Sequence, residues 1–359
     1  VRENAQWAYL ETLRKAGFRV VSIDSPLHEM LNRNKNNREL TCQLSSGPGS
    51  RLCPSYRGPA YQAELQRLRR EAALARPTLL TADIELWTWT GPVDAPKCER
   101  CKADFARSGL KDWKEWQVAK GVEIWRDLVT AVREGAREGG GPVPEVGGYD
   151  FRPGEPYQFF WSVDRLYPEW IHGSEVSTYS ALEPYHLALI GDEVRRDRKA
   201  LGRSDVIPWL TPGDAGVFPG WAFRDALLEC FANGARGLLF WSSRVWDTEC
   251  LAAYADAIRV VTPVEDVIVE GDLLTDATAQ PPIRLCGMRK GDDVFLLAAD
   301  YAGKARVPVQ IKVPIAKECV VEDLETGKEV ARIRPNASLF TVQFVRPGAR
   351  PFRVRPATP

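Results

Sequence analysis

The sequence carries no excess charge: its 48 Lys and Arg balance its 48 Asp and Glu. Binding nucleic acid or an acidic membrane surface draws on surplus positive charge, so neither is expected as a partner. No apolar run reaches the roughly eighteen residues needed to span a bilayer. There are only three His, none in a His-x-His or His-Glu-x-x-His spacing, which leaves a catalytic zinc or a binuclear hydrolase without ligands. No Gly-x-Ser-x-Gly elbow offers a serine nucleophile, and no Gly-x-Gly-x-x-Gly turn follows a strand to cradle a dinucleotide. No Lys occupies an inward strand position, so Schiff-base chemistry lacks its amine.

What is present is a chain of 359 residues, long enough for one large domain and one small one. It is rich in one residue, with twelve Trp. Indole faces suit sugars, because the apolar faces of pyranose rings stack on them while hydroxyls seek polar groups; the competing role of each Trp is core filling. Eight cysteines are too few for a disulfide scaffold. Cys98 and Cys101 have metal-knuckle spacing, and Cys42 with Cys53 could complete a four-thiolate site. The second pair lacks the short spacing of a knuckle, so a metal-free role as a disulfide or as free thiols is preferred. No cofactor is expected. The opening Val1-Arg2-Glu3-Asn4 is neither a start nor a signal peptide, so a removed leader or an upstream continuation is expected, and cellular location is not assigned.

Along the chain, helices alternate with strands. A helix over residues 1–16 ends at Gly17, and Phe18–Asp24 reads as a strand. The polar stretch Ser25–Gly58 reads as a long loop, and Tyr61–Ala75 as an amphipathic helix. Strands are predicted at Thr78–Trp87, Val143–Asp150, Glu175–Ser180, Asp205–Leu210 and Gly237–Ser242. Helices fall near Trp113–Glu138, Tyr185–Arg198, Trp221–Asn233 and Thr248–Val260. This is parallel β/α architecture. The strands number six where a closed barrel uses eight, so a (β/α)8 barrel lacking its first strands is expected. An upstream fragment or a second subunit would complete it. After Pro263, short strands with Gly291-Asp292, Gly303-Lys304 and Gly327-Lys328 turns indicate an all-β sandwich. The expected domains are a barrel over 1–265 and an accessory sandwich over 266–359.

Strand alternation sorts the candidate site. In Thr78–Trp87, Leu80, Ala82, Ile84 and Leu86 share the face toward the outer helices, and Thr81, Asp83, Glu85 and Trp87 share the inward one. Two carboxylates inside a barrel at a strand's C-terminal end are costly unless they do chemistry, although such acids also cap loops or pair with Arg. The same parity turns Ser22 and Asp24 inward, and likewise Ser177 and Tyr179, Trp209 and Trp241. Tyr149 and Asp150 end their strand together and only one can face in, while Asp214 lies in the turn after Trp209. Acids among aromatic floors are what glycosidic chemistry needs. Glu85 is the candidate acid with Asp83 as its partner. Asp24, Trp87, Tyr149, Asp150, Tyr179, Trp209, Asp214 and Trp241 are candidate contacts to an oligosaccharide or polysaccharide. A carbohydrate-binding protein on a degenerate barrel is the alternative.

Thr81-Ala-Asp83-Ile-Glu85 resembles the Asp-x-Glu ending of the chitinase-type signature. That resemblance implies Glu85 as proton donor, Asp83 as the residue orienting a substrate acetamido group, and Tyr179 as a hydroxyl partner. More broadly the chain is similar to bacterial glycosidase-like barrels with a Cys-Pro-Ser loop before a strand ending in Asp-x-Glu, as in Cys53-Pro54-Ser55 and Asp83-Ile84-Glu85. Cys98, Cys101 and Phe105 resemble a segment of some barrel β-galactosidases. The closing strands, with Asp323-Leu-Glu-Thr-Gly327, resemble the C-terminal domains of many glycosidases.

Overall fold

The computed structural model describes residues 2–83, 94–154, 162–179, 186–211, 219–241, 246–305 and 307–357. They fall into two compact units, Val1–Glu175 and Val176–Pro359.

In the first unit, α1 (Arg2–Lys15) leads to β1 (Val21–Asp24), α2 (Pro26–Arg33) and a hairpin, β2 (Thr41–Leu44) with β3 (Gly47–Leu52). Then follow α3 (Pro59–Ala75), β4 (Leu79–Ala82), α4 (Glu99–Ser108), α5 (Trp113–Glu138), β5 (Glu145–Gly148) and a short α6 (Val163–Leu166). β1, β4 and β5 form a parallel sheet in that order, each step made by a helical crossover as parallel pairing requires. Tyr149 extends it through a parallel bridge to Glu175. The stretch read as a long loop is therefore partly folded. Leu27 and Met30 bury one side of α2, and the hairpin behind it is fixed by tertiary partners that local pattern does not reveal.

Helix ends follow their local chemistry. Pro59 starts α3 with a preset φ and no N–H to lose, and Arg76 ends it at φ 43°. Asp112 caps α5 by accepting the Lys114 amide at 2.9 Å. The two helices touch backbone to backbone. A Cβ on Gly135 would stand 1.9 Å from the Arg69 carbonyl oxygen, and one on Gly139 2.1 Å from that of Ala73. Only hydrogen fits at either place.

In the second unit, Ser177 bridges Trp209, and β6 (Trp209–Leu210) pairs with β7 (Leu239–Phe240), again parallel. In chain order the helices are α7 (Leu187–Leu201), α8 (Gly220–Ala232), α9 (Thr248–Val261) and α10 (Glu265–Glu270). Each of the six strands read from the sequence thus has a parallel partner within its unit. The all-β segment comprises β8 (Asp272–Leu273), β9 (Thr278–Ala279), β10 (Arg284–Lys290), β11 (Asp293–Asp300), β12 (Val309–Lys312), β13 (Cys319–Asp323), β14 (Lys328–Ile333), β15 (Leu339–Val342) and β16 (Gly348–Pro356). They make a six-stranded sheet, β14-β13-β16-β11-β10-β8, and a three-stranded one, β15-β12-β9.

β11 is buried on both faces, which is why its sequence is a continuous apolar run. Val294, Leu296 and Ala298 pack with Ile311, Phe340 and Phe352 between the sheets. Phe295, Leu297 and Ala299 pack the other way, with Phe223, Leu227 and Cys230 of α8. No helix among the described residues is long and apolar enough to cross a membrane.

Candidate functional site

β4 supplies the first carboxylate. Thr81 is fully buried opposite Ile23 and Gly147 in the two registers, and those three side positions share one face. Asp83 continues that face just beyond the strand, half-buried, with its amide donating to the Asp24 carbonyl at 2.7 Å. The Ser25 hydroxyl donates to its Oδ2 at 3.2 Å. Its carboxylate is thus held by the first residue of the chain leaving the neighbouring strand. Glu85 and Trp87 lie outside the described residues, as does Asp214.

The register corrects the inward orientation expected for Ser22 and Asp24. Ser22 stands opposite Leu80 and Asp24 opposite Ala82, so both belong to the helix-facing side. There Asp24 takes a two-pronged ion pair from Arg67 of α3, at 2.7 Å to each oxygen. Arg67 also holds Glu64, 3.1 Å from its Nε, and is 6% exposed. Burial alone would weaken the guanidinium, but these carboxylates hold it more firmly protonated than usual. Counting alternation strand by strand could not detect this, because facing depends on which residue of the neighbouring strand lies opposite. Asp24 is a structural ion-pair partner.

Alternation resolves the choice at the end of β5. Tyr149 continues the Gly147 face, and Asp150 turns into the left-handed region at φ 57°. Its carboxylate accepts from Arg152 Nε at 3.2 Å. Asp tolerates that conformation better than most residues, and such positions mark strand ends that redirect the chain.

One carboxylate went unnamed in the sequence reading. Glu175 is 1% exposed, and Thr81 donates to its Oε1 at 3.1 Å. It occupies the space a side chain on Gly147 would fill: a Cβ there would meet Oε1 at 1.6 Å. The signal was available, since Glu175 has the same parity as Ser177 and Tyr179. Thr81, Gly147 and Glu175 form one fitted buried set beneath Asp83 on the same face.

In the second unit, Ser177, Trp209 and Leu239 stand opposite one another, and alternation places Tyr179 and Trp241 on their side. Leu210 and Phe240 take the opposite side, with α8 and α9. Trp209 is buried, whereas Tyr179 is 40% exposed and Trp241 55% exposed. A buried indole thus lies behind two exposed aromatic rings at the strands' C-terminal ends, an arrangement able to offer flat apolar faces to a ligand. Other Trp fill cores: Trp125 is fully buried and donates its indole N–H to the Trp170 carbonyl at 2.7 Å.

The cysteines read at a distance in sequence come together. Cys42, Cys53, Cys98 and Cys101 are all buried free thiols with sulfurs within 4.8 Å of one another. Cys53 Sγ lies 3.7 Å from Cys98 Sγ and 3.5 Å from Cys101 Sγ, and the Gln43 amide donates to Cys98 Sγ at 3.2 Å. Hydrogen bonds from Cys42 and Cys53 draw the Cys101 thiol down to about 5, while its bond with Cys53 and burial push Cys98 up to about 12. Cys53 is likewise drawn down and Cys42 pushed up, so the four thiols hold their protons unequally among themselves. Around it, Ser55 donates to Asp104 at 2.7 Å and Lys120 pairs with the same carboxylate at 2.8 Å.

No family model matches the chain, and no curated protein matches it in sequence. Solved structures do resemble it. Alpha-galactosidase I from Mortierella vinacea is 8% identical, with 97% of this chain and 79% of that one aligned at a TM-score of 0.56. A GH27 β-L-arabinopyranosidase from Geobacillus stearothermophilus is 12% identical over 97% of this chain and 77% of that one, with a TM-score of 0.52. A GH36 alpha-galactosidase from the same organism reaches 0.57 at 7% identity, over 96% of this chain and 46% of that one. In fold, the chain is like the TIM-barrel glycoside hydrolases with a C-terminal β-domain. That is the likeness its sequence suggested, carried now by three-dimensional similarity at very low identity.

Proposed function

We propose that this chain is a glycoside hydrolase acting on an oligosaccharide or polysaccharide, with Glu85 and Asp83 as its central carboxylates. The observation that carries the reading is the setting of Asp83. It ends a parallel strand on the Thr81 face, oriented by Ser25, in a chain whose fold likeness is to glycosidases. The alternation read from the sequence puts Glu85 on the same face two residues later. In this scheme Glu85 protonates the leaving glycosidic oxygen, and Asp83 orients or stabilises the developing positive charge at the sugar. Tyr149 offers a phenol beside Asp83 on that face. In the second unit, Tyr179 and Trp241 would stack on pyranose rings, and Trp87 and Asp214 remain proposed contacts on sequence grounds. Residues 1–265 would form the catalytic part and 266–359 the accessory sandwich.

The neighbours' names direct the first assays: aryl α-galactosides and an aryl β-L-arabinopyranoside, within a broad glycoside panel. Replacing Glu85 by Gln, and separately Asp83 by Asn, should cut turnover on the best substrate by about 10²–10⁴-fold with the circular-dichroism spectrum unchanged. Full activity in Glu85→Gln would remove the acid assignment. Sugar binding without turnover of any glycoside would favour a binding protein on a degenerate barrel.

A further inference from the structure

We infer that Cys42, Cys53, Cys98 and Cys101 bind one zinc ion, and that this ion clamps together the two chain segments leaving the C-terminal ends of β1 and β4. On sequence alone a metal-free role was preferred, because ten residues separate Cys42 from Cys53 where a knuckle has two. The hairpin explains the spacing: Cys42 sits on β2 and Cys53 just past β3, so antiparallel pairing brings the two into one neighbourhood. Cys98 immediately precedes α4 and Cys101 lies in its first turn. One pair therefore comes from the β1–α3 connection and the other from the β4–α5 connection.

Distances decide between the chemistries. A disulfide needs sulfurs about 2.05 Å apart. A tetrahedron of thiolates at about 2.3 Å from zinc has sulfur–sulfur edges of roughly 3.8 Å. The observed separations of 3.5 and 3.7 Å, with all four sulfurs within 4.8 Å, fit the tetrahedron and not the bond. Four buried ligands leave no open position, which is the pattern of a structural rather than a catalytic site. Among the described residues, no other group of three or more His, Cys, Asp or Glu converges in this way. Binding is a simple exchange: four thiols give up four protons and the ion takes four thiolates, with no redox step. The resulting double negative charge is met by the Gln43 N–H at Cys98.

The clamp has a mechanical consequence. Beside the cluster, the β1–α3 and β4–α5 connections also meet where Ser55 donates to Asp104 and where Arg100 donates to the Glu39 carbonyl and lies over the Tyr56 ring. Holding them tethers the segments that follow Ser25 and Asp83 in the chain.

The test uses the full chain, purified without chelator and desalted. Metal analysis should give about one zinc per chain, and cobalt substitution should give the intense visible bands of a tetrahedral tetrathiolate. Titration with an organomercurial should release that zinc to a chromogenic chelator. Cys98→Ser and Cys101→Ser should lose the zinc, whereas Cys250→Ser, at a buried thiol of the second unit, should keep it. Stripping zinc from the native chain should expose residues 41–53 and 94–112 to protease before the rest, a readout independent of any glycosidase activity. Less than about a tenth of an equivalent of zinc after zinc supplementation, iron in its place, or disulfides among these four cysteines would each overturn the assignment. Removal of zinc with no gain in cleavage at those segments would overturn the clamp.

Discussion

The two units differ in what joins their elements. In the first, beside the buried Arg67 ion pairs with Asp24 and Glu64, the joints are four thiols, two glycines pressed onto carbonyls, and an indole donating to a backbone oxygen. In the second, α8 is joined to the β-sheets by charges. Glu229, with no exposed surface, accepts from Arg284 at 2.9 and 3.0 Å, from Tyr301 at 2.8 Å and from Asn233 at 3.1 Å. Asp225 accepts the Ala349 amide at 2.9 Å, and Arg224 reaches Glu325 at 2.7 Å. The difference follows from what must be joined. Loops with little apolar surface cannot bury enough of it to fix themselves, so a compact cluster of ligands serves. A helix on a sheet already has an apolar interface, and buried polar groups inside it fix its angle and register.

The largest effect should come from the charged joint. Glu229→Ala leaves the Tyr301 hydroxyl without this acceptor and Arg284 with only Asp192 and the Ala188 carbonyl, and should cost about 3 kcal/mol in urea unfolding. A loss below about 1 kcal/mol would mean the sheets dock on α8 by apolar contact alone. Next is the close helix pair of the first unit. Gly135→Ala places a methyl where Arg69 presents its carbonyl, forcing α3 and α5 apart at a cost of about 3 kcal/mol. An unchanged midpoint would show that the helices separate freely.

Asp225 gives a pH test that distinguishes the joints. Burial raises its carboxyl from 3.8 to about 6, against the opposing pull of the Ala349 amide and Arg224. Because the folded value lies above the unfolded one, its contribution to stability is complete below about pH 4 and is lost as pH rises through about 6. Asp225→Asn keeps the acceptor for Ala349 and abolishes the titration. Relative to the parent, that variant should gain about 2 kcal/mol between pH 4 and pH 7. A pH-independent difference between the two would place Asp225 outside this account. The smallest effect concerns the exposed aromatic face. Trp241→Ala should leave the unfolding midpoint within about 0.5 kcal/mol of the parent and weaken binding of a sugar ligand by about 1 kcal/mol. Equal binding by both proteins would make that face irrelevant to carbohydrate.

Much of the secondary structure was legible because it rests on local periodicity. The helix at Trp113–Glu138 matches residue for residue, capped by Asp112 and carrying a regular apolar stripe. The apolar run of β11 and the turns after Pro263 likewise marked the sheets. The site was only partly legible. Parity placed Asp83 with Thr81, and Tyr179, Trp209 and Trp241 on one face. It failed at Asp24, where strand register overrode it, and it passed over Glu175, whose meaning depends on the missing side chain of Gly147.

What the sequence determined by itself was the inventory and the local order: which segments are helix or strand, which faces are apolar, and that acids and tryptophans cluster at strand ends. Those follow from interactions between residues a few positions apart. Tertiary structure alone decided which carboxylates are engaged by Arg67 or Thr81, and that Cys42 and Cys53 meet Cys98 and Cys101. These pairs lie 43 to 94 positions apart in the cases of Asp24 with Arg67, Cys53 with Cys98 and Thr81 with Glu175. At such separations no local preference fixes a contact, and only strand register and helix packing bring the groups within reach.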